Sequence, residues 1–312
     1  MNQLIFVEIN IRYQILNNMI CKSLGYKILA FVGLCICIKS IHAQTPSENK
    51  PFFIVQLSDP QIGFFKDSTT VEIARYKKAV SIINRTHPDF VVITGDLVNN
   101  AGSKDQLEQF RRVTAMIDPN IPVFLTPGNH DVGNTPDEKS IEYYKSLFGY
   151  DRFSFMHKGI RFIGFNTSLA NQKAPGDLRE GQYTWLLSEL KRSKEARQII
   201  VFGHIPLFLD SASEPDLYYD KAKTELKNME TPEREKYLKL FAKYHVNAVF
   251  TGHMHQNEHG QYEGVKMITT SAVGEALGQD PTGLRIIVFD KNKMTQHFYN
   301  LKDVPDHINL QQ

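Results

Sequence analysis

The sequence predicts an α/β fold in which two β-sheets pack face to face and helices cover their outer sides. The region from residue 52 to 131 alternates short apolar, β-rich runs with amphipathic stretches, which is the order of a βαβαβ unit. Such a unit forms a parallel sheet with right-handed crossovers. The later region starts with a hairpin pattern and ends in three further β-rich segments, so we expect a second sheet.

The first half of the chain carries three strand patterns separated by two helix patterns. We expect these elements at residues 52–57, 70–86, 90–93, 103–117 and 123–125. In the first helix Tyr76, Ala79 and Ile83 recur on one face, as in an amphipathic helix. Ser103 can cap the second helix with its hydroxyl.

The second half mixes hairpin, helix and strand patterns. Two alternating runs joined through Lys158-Gly159 predict an antiparallel hairpin. The remaining elements are expected as helices around 185–190 and at 231–244, and as strands at 199–202, 248–251, 265–270, 284–290 and 294–299. We interpret the polar segment 210–228, which contains Tyr218 and Tyr219, as an inserted loop beside the functional site.

The N-terminal region has the pattern of an export signal. An apolar run at residues 28–38 follows Lys22 and Lys27 and precedes Ile41-His42-Ala43, a suitable cleavage site. We therefore expect a signal peptide at 1–43, a polar leader at 44–51, one domain at 52–302 and a tail at 303–312. The protein is then periplasmic or extracellular with no membrane segment after signal removal. The alternative is an uncleaved membrane anchor.

Processing would remove every cysteine and change the net charge. The three cysteines all lie within residues 1–43, so the mature chain has neither a disulfide framework nor a catalytic thiol. The formal charge is +2 for 36 Lys/Arg and 34 Asp/Glu, and loss of four basic and one acidic residue leaves −1. This balance gives no sign of a nucleic-acid-binding surface.

Five polar clusters, four of them directly after an apolar run, carry most of the chemistry. They are Ser58–Gln61, Gly95–Leu97, Gly128–Asp131, Gly203–Pro206 and Gly252–His255. Strand ends at one sheet edge can bring such side chains to one point. Oxygen and imidazole donors suit a divalent cation, and the candidate ligands are Asp59, Gln61, Asp96, Asn129, His204, His253 and His255.

Seven candidate ligands are too many for one ion and natural for two. Asp96 is the best candidate bridge, because a carboxylate has two oxygens and its cluster lies between the others in order. A metal pair acidifies a bound water and neutralises phosphate oxygens, so the hydroxide can attack phosphorus. His130 is the candidate general acid for the departing alkoxide, and Asp131 is a candidate to orient it.

The five clusters, in this order, resemble the motifs of the calcineurin-like metallophosphoesterase superfamily. The resemblance runs from Asp59 to His255 and implies a four-layer α/β/β/α sandwich of two mixed sheets with a dinuclear centre of Mn, Fe or Zn. It implies a first site of Asp59, position 61, Asp96 and His255, and a second of Asp96, Asn129, His204 and His253. His130 matches the catalytic histidine of the superfamily.

Two positions depart from the common pattern. Gln61 stands where the superfamily usually has histidine, and an amide oxygen is a weaker ligand for Zn or Fe. Asn99-Asn100 replaces both the Asp-Arg of the main protein phosphatases and the tyrosine of purple acid phosphatases. The chain is more similar to a branch with Ser/Thr phosphatase activity, through segments such as Asp59-Pro60-Gln61 and 128–136, and that branch shares the glutamine.

The sequence thus predicts a metal-dependent phosphomonoesterase acting on a phosphorylated small molecule or protein. The nearest alternative is a cyclic-nucleotide or other phosphodiesterase, and an alternative of another class is a non-catalytic, metal-stabilised binding module. Arg285 could anchor phosphate, although a salt-bridged strand arginine is the simpler interpretation. Tyr218 and Tyr219 could stack on an aromatic substrate or only pack the loop.

Overall fold

The computed structural model of the chain describes residues 50–65, 69–223 and 225–311. The expected signal peptide at 1–43 and most of the expected leader at 44–51 lie outside these residues. Within the described ranges, no helix has the length and apolar character needed to cross a membrane.

Eleven strands and six α-helices make up the regular structure of the described residues. The strands are β1 (Phe52–Leu57), β2 (Val91–Thr94), β3 (Val123–Thr126), β4 (Phe153–His157), β5 (Ile160–Gly164), β6 (Gln198–Phe202), β7 (Ala248–Thr251), β8 (Glu258–Tyr262), β9 (Val265–Thr269), β10 (Gly283–Asp290) and β11 (Lys293–Asn300). The helices are α1 (Thr70–Thr86), α2 (Lys104–Thr114), α3 (Asn129–Val132), α4 (Glu138–Phe148), α5 (Gly176–Lys191) and α6 (Thr231–Lys243).

The strands form two mixed sheets. The first sheet has the order β11-β10-β1-β2-β3, with β1, β2 and β3 parallel and β10 and β11 antiparallel at one side. The second has the order β4-β5-β6-β7-β9-β8, with a parallel centre and an antiparallel strand at each edge. The predicted fold class of two mixed sheets is confirmed.

Three hydrophobic layers hold the sheets and helices together. Between the sheets lies an aromatic layer in which the Phe90 ring contacts the rings of Phe124, Phe155 and Phe162 edge to face. Alternate residues of the same strands face outward, where one layer packs under α1, α2 and α4 and the other under α5 and α6. The order helix, sheet, sheet, helix is the expected four-layer sandwich.

The observed elements follow the expected ones closely, with three additions. The strand at 52–57 and the helix at 70–86 have the predicted bounds, and the predicted hairpin is antiparallel β4–β5. Helices α3 and α4 and the polar edge strand β8 were not predicted. The segment 210–228 is irregular apart from one bridge between Tyr218 and Leu226.

Candidate metal centre

The carboxyl ends of strands from both sheets meet at one place. Asp59, Asp96 and Asn129 follow β1, β2 and β3 of the first sheet, and His204 and His253 follow β6 and β7 of the second. In parallel sheets these ends share one edge, so the two edges together form a seam. The seam brings together the side chains that the sequence predicts as ligands.

The backbone is strained at most of the candidate ligands. Asp59, Gln61, Asp96, His253 and His255 all have left-handed φ angles, from 36° for Gln61 to 72° for His253. They account for five of the eleven non-glycine residues with positive φ in the described part of the chain. Such strain persists only where surrounding contacts over-determine it, and it concentrates at functional sites.

Two glycines allow the backbone to approach these ligands closely. A Cβ on Gly128 would collide with the carboxylate of Asp96, and a Cβ on Gly252 would collide with Ser58 and the carboxylate of Asp59. The clusters therefore begin with glycine because any side chain there would occupy the space of the ligands.

One group of candidate ligands surrounds the Nε2 atom of His204. This nitrogen lies 3.2 Å from Asp96 Oδ2, 3.1 Å from Asn129 Oδ1 and 3.2 Å from Nδ1 of His253. Two imidazole nitrogens, a carboxylate oxygen and an amide oxygen thus converge within the reach of a single cation. Asp96, His204 and His253 are all buried.

A second group forms around Asp59. Its Oδ1 lies 3.4 Å from His255 Nε2 and 3.9 Å from His204 Nδ1, so it adjoins the first group. Gln61 is joined to Asp96 through its backbone N–H, which donates to the Asp96 carbonyl oxygen at 2.8 Å. Its side-chain Nε2 donates to Asn99 Oδ1, whereas its Oε1 is buried without a hydrogen-bond partner among the described residues.

Backbone carbonyls determine which nitrogen of each ring carries a proton. The Nδ1–H of His204 donates to Thr94 O at 2.8 Å, and the Nδ1–H of His255 donates to Glu275 O. In His253 it is the Nε2–H that donates, to Leu226 O at 2.5 Å. The other nitrogen of each ring is left with its lone pair toward the cluster, as metal-binding histidines require.

The electrostatics show how strongly the cluster attracts positive charge. Burial alone would lower the pKa of His204, but the carboxylates of Asp96 and Asp59 raise it to about 10. Burial and the positive His204 lower the pKa of His253 to about 4. The pKa of Asp96 is lowered, because the neighbouring histidines outweigh its burial. A proton on His204 thus takes the position that a cation would otherwise fill.

The donor set fits divalent cations. Asp59, Asp96, Asn129 and Gln61 offer oxygen atoms, and the three histidines offer nitrogen, a mixture that suits Mn, Fe or Zn. A buried oxygen without a partner costs free energy unless something binds it, and Gln61 Oε1 is such an atom. The residues present therefore fit a metal centre.

His130 lies at the edge of this cluster with its ring partly exposed. Its Nδ1–H donates to Asn99 O at 2.8 Å, and its Nε2 lies 4.0 Å from Asp96 Oδ2. Burial would lower the pKa of His130, but the Asp96 carboxylate and the Asn99 carbonyl raise it overall. The free nitrogen is thus available to give a proton to a group above the cluster.

The Asp131 carboxylate hydrogen-bonds backbone N–H groups and not the His130 ring, which the sequence predicts it to orient. Its carboxylate accepts N–H groups from Leu97 at 3.0 Å, Val98 at 3.4 Å and Gly128 at 2.8 Å, and so ties two ligand loops together. Burial and the charge on Asp96 raise the pKa of Asp131 to about 7, against the effect of these donors. The backbone of Asn99 orients His130 instead.

The segment 210–228 borders the site, as predicted. Besides the Leu226 carbonyl on His253, the Tyr219 hydroxyl donates to His253 O at 3.1 Å. Glu225 Oε1 lies 3.5 Å from Asn129 Nδ2. For Tyr219 the sequence leaves both substrate stacking and loop packing open, and it gives no signal for Glu225, since an acidic residue in a polar loop has no distinguishing pattern.

Arg285 is buried in a hydrogen-bond network rather than at the candidate metal centre. It donates to the Thr270 hydroxyl at 2.8 Å, to Asn257 Oδ1 at 2.6 Å and to the side chain of Gln296. None of these partners is charged. Arg285 is therefore a strand arginine, as expected, but neutral groups and not a salt bridge hold it. Burial lowers the pKa of Arg285 to about 9.

Fold and site together define a metallophosphoesterase. Residues 54–257 match the family described as calcineurin-like phosphoesterase, and the chain belongs to that family. The chain is 35% identical to the serine/threonine-protein phosphatase CPPED1 of Homo sapiens, an alignment that covers 85% of this chain and 88% of the relative.

Solved structures show the same fold at low sequence identity. Purple acid phosphatase PPD1 from yellow lupin seeds superposes with a TM-score of 0.60 and 17% identity, over 83% of this chain and 53% of that one. A dimetal phosphatase from Danio rerio superposes with a TM-score of 0.53 and 17% identity, over 80% and 99%. Family and relatives make the protein a metal-dependent phosphoester hydrolase.

Proposed function

We propose that the protein is a dinuclear phosphomonoesterase that uses His130 as its general acid. The observation that carries this proposal is the convergence on His204 Nε2 of three acceptor atoms within 3.2 Å, beside a second acceptor group at Asp59. Acceptors packed this closely repel one another unless a cation, or the proton on His204 that takes its position, lies among them.

The two groups divide the candidate ligands between two ions. Asp59, Gln61, Asp96 and His255 would hold one, and Asp96, Asn129, His204 and His253 the other, with Asp96 common to both. When bound, two divalent ions acidify a water molecule and neutralise the phosphate oxygens. The carbonyls of Thr94, Leu226 and Glu275 keep each imidazole in the tautomer that this arrangement needs.

His130 completes the reaction on the leaving-group side. The Asn99 carbonyl fixes its ring through Nδ1–H, and its backbone N–H donates to Asp96 Oδ1 at 2.9 Å. Nε2 is the nitrogen left free, so the proton it carries passes to the departing oxygen of the ester. No covalent intermediate is needed.

The proposed substrate class rests on the family and on the 35% identical phosphatase relative. Phosphatase relatives imply a phosphorylated substrate, and the similarity to a serine/threonine-protein phosphatase favours a monoester, either on a protein or on a small molecule. A phosphodiesterase would use the same centre, so ester type must be measured.

A metal-loading and hydrolysis panel tests the proposal. The chain is stripped, reloaded with Mn, Zn, Fe, Mg or Ca, and assayed on monoesters, diesters, cyclic nucleotides and phosphopeptides, with bound metal counted by elemental analysis. We expect two ions per chain and a higher kcat/KM for monoesters. One ion per chain in the most active form, or a preference for diesters, would contradict the proposal.

We also propose that the protein is exported and cleaved after Ala43. The support is the sequence pattern of residues 1–43. N-terminal sequencing of the protein recovered from its native host should begin at Gln44, whereas a retained N-terminus would indicate the membrane anchor.

A further inference from the structure

We propose that Glu225 makes the enzyme prefer phosphomonoesters whose leaving group carries a positive charge. The inference rests on the proposed function, because it assigns the leaving group to the His130 side of the centre. Glu225, in the loop 210–228, is then a residue that determines the chemical class of the substrate.

A cavity of about 510 Å³ lies on that side and is large enough for a small leaving group. Its wall contains the ligand Asn129 and the general acid His130, so it adjoins the reacting centre. An alcohol leaving with the proton of His130 must therefore lie in or across this cavity.

The cavity wall is unusual in charge for a site that receives a phosphate ester. Amides, hydroxyls and glycine backbone make up most of it, with Asn99, Asn100, Asn134, Ser140 and Tyr143 among the lining residues. No lysine or arginine of the described residues lines it. Positive charge for the phosphate thus comes from the metal centre and His130, and none is provided for an anionic leaving group.

Two carboxylates line the cavity, and they differ in availability. The Asp131 carboxylate is buried and accepts three backbone N–H groups, so it is committed to the ligand loops. Glu225 is partly exposed, and its only hydrogen bond through the side chain within the described residues is the long one from Asn129 Nδ2, at 3.5 Å. Its charge is the one that a leaving group would meet.

Two lysines of the same loop lie over aromatic rings rather than in an ion pair with Glu225. The ammonium of Lys223 lies 5.5 Å above the Tyr218 ring, and that of Lys227 lies 4.9 Å above the Tyr219 ring. The Glu225 backbone is fixed, since its carbonyl oxygen accepts the Tyr219 N–H at 3.0 Å. The loop therefore presents a carboxylate rather than an ion pair to the cavity.

A fixed carboxylate beside the leaving group separates substrates by charge. An ammonium or guanidinium a few ångströms away is attracted, and a second phosphate or a carboxylate is repelled. At a partly exposed site the effect of one such charge pair corresponds to roughly two- to fivefold in kcat/KM. The cation can belong to a small amino alcohol or to a basic residue next to a phosphoserine.

Matched substrate pairs measure this preference. Phosphocholine and 3,3-dimethylbutyl phosphate have the same shape and differ only in the charge of one atom. Two phosphoserine peptides with lysine or norleucine beside the phosphoserine provide the same comparison for a protein source. kcat/KM is measured for both pairs with the wild type, Glu225→Gln, Glu225→Lys and the control Glu195→Gln, which makes the same change at an exposed position on another loop.

We expect the wild type and Glu195→Gln to favour the cationic member of at least one pair roughly two- to fivefold. Glu225→Gln should abolish the preference, and Glu225→Lys should invert it, with metal content unchanged. The pair that discriminates identifies the source of the cation. Equal kcat/KM within both pairs in the wild type, or a preference that survives in Glu225→Gln, would overturn the inference.

A failure of the proposed phosphomonoesterase function would give a different result from a failure of the Glu225 inference. A wild type that hydrolyses p-nitrophenyl phosphate but neither charge pair selectively refutes only the role of Glu225. A metal-loaded wild type that hydrolyses no monoester refutes the proposed function, and the inference with it.

Discussion

In the candidate metal centre, the ring nitrogen that each histidine turns toward the cluster is set by a backbone carbonyl, which the residue types alone do not reveal. His204, His253 and His255 each donate one ring N–H to a backbone carbonyl, and the identity of the residue that owns the carbonyl is immaterial. The tautomer is opposite in His253, where Nδ1 faces the cluster instead of Nε2. Each imidazole is thus oriented by the fold before any ion binds.

The proposed general-acid role of His130 can be separated from metal binding. His130→Ala removes the proton donor but none of the seven candidate ligands, so turnover of p-nitrophenyl phosphate should fall roughly 10²–10⁴-fold while bound metal stays near the wild-type amount. Steady-state kinetics and elemental analysis of the same preparation check both parts.

The exposed His297 on β11 provides the matched control for that experiment. His297→Ala makes the same change away from the strand ends of the centre and should leave turnover within about twofold of the wild type. Wild-type activity in His130→Ala would remove this histidine from the mechanism.

Gln61 is the residue at which the affinity of one ion can be raised. Its Oε1 is buried and has no hydrogen-bond partner in the described part of the chain. We interpret this amide oxygen as a weak metal ligand. Gln61→His replaces an amide oxygen with imidazole nitrogen, so the dissociation constant for Zn should fall roughly tenfold or more. Titration with a competing chelator measures it, and weaker or unchanged binding would place position 61 outside the ligand set.

The candidate ligands were predictable because each combines a suitable residue type with a position just after a strand. The groups that hold these ligands in place were not predictable. Aspartate or histidine after a short buried strand and a glycine is a local pattern, and all seven candidates lie at the seam. Thr94, Leu226 and Glu275 contribute only backbone oxygens, and Glu225 reaches Asn129 across 96 positions of the chain. Such contacts depend on the path of the loops.

Among the elements, those with a strong apolar period were predictable and those without one were not. The strand β1 is buried at every position, and α1 repeats apolar residues at helical spacing. β8 is polar and only partly buried because it lies at the sheet edge, so no apolar run marks it. Its signal is the two-residue turn Glu263-Gly264, where both φ angles are positive as in a type I′ hairpin.

Helix α4 had a signal that the strand-end clusters obscured. Ile141, Tyr144 and Phe148 are its buried residues and share one face, and Asp137 caps it by accepting the Ser140 N–H at 2.8 Å. The cap lies six residues after Asp131, so this helix begins almost directly after the Gly128–Asp131 cluster.

One ion-pair cluster ties the two sheets together at the end opposite the metal centre. Asp89, just before β2 of the first sheet, lies 2.6 Å from His157 Nε2 and 2.6 Å from Lys158 Nζ of the β4–β5 hairpin. Burial would raise the pKa of Asp89, but the hydrogen bonds from His157 and Lys158 lower it overall.

The stabilisation by Asp89 should therefore disappear in acid. A folded-state pKa below the unfolded value of about 3.9 means that the contribution is present above that pH and is lost as pH falls through the folded pKa. Asp89→Asn should lower the urea midpoint at pH 6 and lower it less at pH 3. Asp105→Asn, an exposed site on α2, is the control, and an Asp89 effect that is equal at both pH values would refute the ion-pair account.

At the scale of the whole molecule, the metal centre belongs to neither sheet alone. Asp59, Asp96 and Asn129 come from the first sheet, and His204 and His253 come from the second. The candidate ligands therefore come together only in a state in which the two sheets are packed on each other. Ions that bind only the assembled seam stabilise the packed state by mass action.

Removal of the ions should lower the melting temperature. Free metal at 100 times its dissociation constant adds about 2.7 kcal/mol to stability, which for a domain of this size corresponds to roughly 5–10 °C. Differential scanning calorimetry before and after chelation checks the fall. Re-addition of metal should restore the melting temperature, and Asp96→Asn, which loses the carboxylate common to both groups, should show little response to either treatment.

The fall in melting temperature on chelation should also depend on pH, because a proton on His204 partly replaces the ions. In the stripped protein the folded-state pKa of His204 is about 10, and the unfolded value is about 6.5. The stabilisation that this proton provides is fully present below pH 6.5 and is lost as pH rises toward 10. Chelation should therefore cost more degrees at pH 9 than at pH 6.5, since at the lower pH His204 carries the proton that holds Asp59 and Asp96 together. A chelation effect that shrinks as pH rises would mean that the carboxylates and imidazoles of the seam do not share one cation-binding cluster.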